Sequence, residues 1–188
     1  MVWAYHGHPI PLNIYHGVPE GWYAPQILAE HERLGGQFNL YGPEATEPGA
    51  PAWFPERRDW LQYRATLYRV ADGIRAGDHA CVELAVRFIE LRYIGSYSGF
   101  VRALLSRRLK HASFTEGQRE RLHTHFSALV LREDRTDEFR EYVKLWRRLI
   151  TPAQLQRLVA QLENQPGGQA RASWLLSTIQ PEIGGYRP

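Results

Sequence analysis

One cysteine, one methionine and two lysines are all that 188 residues contain of these three types. With Cys81 alone, no internal disulfide can form, and a single cysteine on an apolar run reads as a buried hydrophobe. The opening MVWAYHGHPIPL has neither a basic start nor a continuous apolar run, so it does not resemble a secretion signal. Together these point to a reducing compartment and a cytoplasmic protein. No apolar stretch is long enough to span a bilayer, so no membrane partner is expected. Lysine is nearly replaced by arginine, 21 against Lys110 and Lys144. A GC-rich coding sequence, and so a bacterial source, accounts for that bias.

Catalytic signatures are missing too. There is no P-loop, no GxGxxG and no Gly-x-Ser-x-Gly elbow; GSYSG at 95–99 has tyrosine at its centre. His31-Glu32 begins like a zinc-protease motif, but Gly35 stands where the second histidine belongs. Glu83 and Glu90 lack the histidine three residues on that a di-iron helix needs. No cofactor is expected.

What the chain does have is HACVELAVRFIELRYI at 79–94. Only Glu83, Arg87 and Glu90 interrupt its apolar surface, at helical spacing that lets them pair with one another. A helix apolar around most of its circumference must be enclosed by others. The helical period continues on both sides and predicts helices over 57–75, 98–111, 116–131, 135–150, 152–164 and 169–179. Asp78 is placed to cap the central helix. Thr115 with Gln118, and Thr151-Pro152 with Gln154, are further start signals. Gly95 is expected to end the central helix, and Ser96 or Ser98 to cap the next. Phe100, Val101, Leu104, Leu105 and Leu109 are expected inside.

The expected fold is all-α: a single globular multi-helix domain, either an orthogonal bundle or a short helical-hairpin stack. Residues 57–180 form this body and 181–188 a tail. Residues 1–56 differ. They hold eight of the twelve prolines and many aromatics, and read as an irregular arm with one helix at 26–34. Trp3, Tyr15, Trp22, Tyr23, Phe38, Trp53 or Phe54 are expected to pack this arm onto the body. The arm carries a net charge of −5 and the remainder +8. Either the acidic part lies on the basic part, or the basic part serves an anionic partner.

Three groups of residues carry candidate chemistry. Tyr5-His6-Gly7 recurs as Tyr15-His16-Gly17, so a hairpin would bring His6, His8 and His16 together as ligands for zinc, copper or nickel. The plain alternative is two turns and no metal. His123 and His125, two apart on a helix, cannot share an ion. The turn IGSYSGFVR at 94–102 allows a tight approach of two helices and presents Tyr97. Behind it, 98–123 holds six basic residues against two acidic ones. Base-specific DNA reading is disfavoured, because the start of that helix holds Phe100 and Val101 while its cations sit at the far end. The resulting expectation is a non-enzymatic protein that binds a macromolecule, most simply another protein, through Tyr97, Arg102, Arg107, Arg108 and Lys110. Non-specific phosphate-backbone binding by the same basic patch is the alternative. A metal or enzymatic site on the N-terminal histidines is the second. Homo-oligomers are left open.

Overall fold

The computed structural model describes residues 4–5, 8–9, 17–41, 55–95, 97–133 and 136–183. Among these the architecture is all-helical, with eight helices. The only extended pairing among the described residues is a ladder of two residues on each side: β1 (Ala4–Tyr5) runs antiparallel to β2 (His8–Pro9), with Tyr5 opposite His8. The chain forms two compact units, residues 1–113 and 114–188, each with its own interior.

In the first unit, α1 (Ala24–Arg33) starts with Pro25 in its first turn and Gln26 accepting back from the Tyr23 N–H. α2 (Pro55–Arg75) is followed by Gly77 at φ +83, a left-handed turn that glycine adopts freely. Asp78 then caps α3 (His79–Glu90), accepting from the Cys81 N–H at 2.8 Å. α4 (Ser98–Leu109) closes the unit. α3 is the expected central rod: Ala80, Cys81, Val82, Leu84, Ala85, Val86, Phe88 and Ile89 are all buried. It is packed by α1, α2 and α4, and α2 also meets α1 and α4. Every one of these contacts joins helices that are adjacent or next-but-one in sequence, a pattern common to an orthogonal bundle and a short helical-hairpin stack. Trp22 sets its ring edge-on to Phe88 with centroids 5.1 Å apart, and Tyr93 donates to the Gly17 carbonyl at 2.8 Å. Of the aromatics expected to anchor the arm, Trp3, Tyr15, Trp53 and Phe54 lie outside the described residues.

The polar seam of α3 pairs as its spacing requires. Arg87 binds Glu83 at 2.7 Å and reaches across to Glu30 of α1. Three details differ from the sequence pattern. α3 ends at Glu90, before Gly95, and Arg92 at φ +52 turns the chain away, leaving Leu91 and Ile94 exposed. Ser98 does not cap α4, and Ser96 lies outside the described residues. The N-cap of α4 is Tyr97, while the Ser98 hydroxyl turns back to the Gly95 N–H and carbonyl. Phe100 points outward instead of in.

The second unit contains α5 (Glu116–Leu131), α6 (Phe139–Trp146), α7 (Pro152–Glu163) and α8 (Gly168–Ile183). Thr115 with Gln118, and Thr151 with Gln154, close the expected capping boxes. Leu122, Phe126, Leu145, Trp146, Leu162, Leu175 and Ile179 form the interior, with Phe126 stacked on Tyr142 at 5.1 Å. Arg171 is buried and donates to the Leu131 carbonyl at the end of α5. α8 runs past 180 to Ile183, where a tail was expected. The Arg147 guanidinium donates to the Thr178 carbonyl of this helix at 2.8 Å. Among the described residues no helix is long and apolar enough to cross a membrane.

Candidate functional site

α4 carries apolar residues on two faces. Val101, Leu105 and Leu109 point into the bundle with Ser98, Arg102 and Ser106. Phe100 and Leu104 fall on the opposite side, in line with Arg107 (a rotation of about 100° per residue). Phe100 is 72 % exposed, the most open large apolar side chain of the helical body.

Tyr97 stands at the head of this outer face. Its backbone is left-handed, φ +64 and ψ −2, a conformation that costs a non-glycine residue about 1–2 kcal/mol. Contacts made by the ring offset that cost. Its centroid lies 5.5 Å from Trp60 and 5.8 Å from Phe100, and the Arg64 guanidinium sits 4.8 Å above it. The same guanidinium lies 5.4 Å from Trp60 and 5.8 Å from Tyr68. Trp60, Arg64 and Tyr68 are four residues apart along α2, so one edge of that helix holds an arginine between two rings. Among the described residues Arg64 has no carboxylate partner within ion-pair distance. Tyr68, Tyr97 and Phe100 all remain exposed around it. The result is an aromatic patch with an unpaired, aromatic-supported guanidinium on it.

The structure separates the residues expected to make contacts. Tyr97 and Arg107 are exposed, and Arg108 and Lys110 are half-buried. Arg102 is a correction: only 4 % exposed, it donates to the Tyr93 carbonyl and braces the 91–97 turn against α4. It lies four residues after Ser98 on the inward face, where a backbone carbonyl needs a donor. Arg64, Tyr68 and Phe100 were missed as site residues. The spacing of Trp60, Arg64 and Tyr68 was the available signal for two of them.

A second cluster lies where α1 meets the start of α3. His31 Nε2, an Asp78 oxygen and Cys81 Sγ all lie within 4.8 Å of one another, the only such trio of metal-capable groups among the described residues. Asp78 Oδ1 faces His31 Nε2 at 3.2 Å and accepts from the Cys81 N–H at 2.8 Å. Oδ2 accepts from Gln37 and Phe38 N–H at 2.6 and 2.8 Å. A carboxylate has about four acceptor positions, and all are used. Burial alone would raise the Asp78 pKa, but the N–H groups of Cys81, Phe38 and Gln37 outweigh it and hold it at about 2. Burial, and then the neighbouring Asp78 charge, push the Cys81 thiol up, so it stays protonated. The thiol hydrogen-bonds the Asp78 carboxylate. A cation would have to displace N–H donors from Asp78. The trio is a polar clamp joining α1, the 36–38 segment and the cap of α3. Its packing is close: a Cβ on Gly36 would meet the His31 ring at 2.2 Å.

Of the N-terminal metal candidates, His6 and His16 lie outside the described residues, and only the backbone of His8 is described, in β2. His123 and His125 diverge as expected. His123 Nδ1 accepts from the buried Trp146 Nε1 at 3.1 Å, while the His125 ring meets Phe126 and Tyr142. Burial pushes the His123 pKa down, and the Glu120 and Arg157 charges act in opposite senses on it. No protein-family model, curated protein or solved structure matches this chain, and its candidate site is read from geometry alone.

Proposed function

We propose that this chain is a non-enzymatic binding protein that docks a protein partner on the patch formed by Arg64, Tyr68, Tyr97, Phe100 and Arg107. One observation carries the reading. Phe100 stands 72 % exposed beside a tyrosine whose backbone is held in a strained conformation, and Arg64 rests on the neighbouring rings. Aromatic and arginine side chains clustered this way are the usual energetic centre of protein–protein interfaces. Strain kept at a surface turn is a mark of functional segments. Nucleic acid is less well served. Arg64 already covers ring faces that bases would stack on, and two of the four remaining cations expected there are half-buried.

The test places the photo-crosslinking residue benzoylphenylalanine at position 100, and at exposed Gln156 of α7 as control, in cells of the source organism. A protein adduct formed from position 100 and absent from 156 is expected. No adduct above the control, or an adduct to nucleic acid, would overturn the reading.

A further inference from the structure

The outer face of α4 has a spacing that narrows the class of partner. Tyr97, Phe100, Leu104 and Arg107 follow one another at intervals of three, four and three residues. That is the seam spacing with which one helix packs along another. An extended peptide repeats every two residues and would not follow such a seam. α4 contains no acidic residue; its sequence is SGFVRALLSRRL. The face therefore has apolar side chains in the middle and guanidinium groups beside it, Arg64 near the head and Arg107 about 10 Å beyond Phe100 at the helical rise. Neither arginine has a carboxylate within ion-pair distance among the described residues. Arg64 is held in place by three rings, at 4.8, 5.4 and 5.8 Å, so little freedom remains to be lost when it binds.

We infer that the partner presents an amphipathic α-helix whose apolar stripe is flanked by aspartate or glutamate. The stripe lies along Tyr97, Phe100 and Leu104. Its carboxylates meet Arg64 and Arg107, whose planar guanidinium groups suit paired hydrogen bonds to a carboxylate. This inference rests on the docking reading above and specifies the occupant of that same face.

The probe is a labelled helical peptide of about 21 residues, three heptads with leucine at the seam and glutamate beside it. Its binding to the full chain is followed by fluorescence anisotropy. A lysine-for-glutamate counterpart and a version broken by two central prolines are the comparisons. The glutamate helix is expected to bind at least about tenfold more tightly than either. Arg64→Glu and Arg107→Glu are each expected to weaken it about fivefold or more and to improve the lysine helix, an inversion that simple misfolding would not produce. Equal binding of the two charge types, equal binding of the proline-broken peptide, or no binding of the glutamate helix would overturn the inference. If crosslinking at position 100 captures a protein while the glutamate helix fails, the docking reading survives and the acidic-helix inference falls. If crosslinking fails as well, both fall.

Discussion

Replacing Asp78 with alanine puts the clamp at the start of α3 to a quantitative test. The folded protein holds this carboxyl at about 2 against an ordinary 3.8, which corresponds to about 2 kcal/mol of stability at pH 6. The sign follows from the direction. A depressed carboxylate pKa stabilises the fold fully above the unfolded value, and the effect is lost as pH falls through the folded one. About half of that remains at pH 3 and little of it at pH 2. Alanine also removes the cap of α3 and the acceptor for Gln37 and Phe38, so a total loss of about 3 kcal/mol is expected at pH 6. Asparagine keeps one acceptor oxygen and should lose about 2. The assay is urea unfolding followed by the indole NMR signals of Trp22 and Trp60, both in residues 1–113, at pH 6 and pH 2. The gap between Asp78→Ala and the native chain should shrink by about 2 kcal/mol on acidification. A gap below about 0.5 kcal/mol at pH 6, or one that ignores pH, would refute the clamp.

Tyr97→Gly relieves the left-handed strain but deletes the ring. Stability should change by less than about 1 kcal/mol, while the adduct from position 100 disappears; a large loss of stability would show that the ring serves the fold. Gly73→Ala places a Cβ 2.3 Å from Cys81 Sγ and 3.0 Å from Phe38, and should destabilise by about 1–3 kcal/mol in a urea melt. Adding Cys81→Ala should return part of that loss, and strict additivity of the two changes would contradict the contact. In residues 114–188, protonating His123 removes the acceptor of the Trp146 indole N–H. Its lowered pKa means that stability is present above about pH 6.5 and falls as acid is added. The urea midpoint by tryptophan fluorescence should drop between pH 7.5 and 5.5, with Glu120 and Arg157 the charges facing the ring, and His123→Gln should flatten the dependence.

The helices were legible because their signals are local. Asp78, Thr115 and Thr151 cap the helices that their spacing announces, and the apolar residues from Ala80 to Ile89 are buried as their pattern demands. α4 was misread because its apolar residues occupy two faces. Periodicity alone cannot decide whether Phe100 or Val101 points inward, and the answer depends on α2 and α3. Arg102 looked like surface because of its charge, yet a carbonyl at Tyr93 draws it in. Tyr97 was visible from its glycine–serine turn. The four-residue spacing of Trp60, Arg64 and Tyr68 marks one edge of α2, but that edge joins the site through the approach of α2 to Tyr97, a tertiary contact. His31, in sequence half of a protease motif, is a structural partner of Asp78.

The enclosure of α3 has a practical corollary. Its lone sulfhydryl is sealed at Cys81, and the sequence offers no second one to confuse the signal. An alkylating reagent can reach it only when the surrounding helices part. The rate of modification by such a reagent therefore reads out how often the bundle breathes open, without any engineered probe.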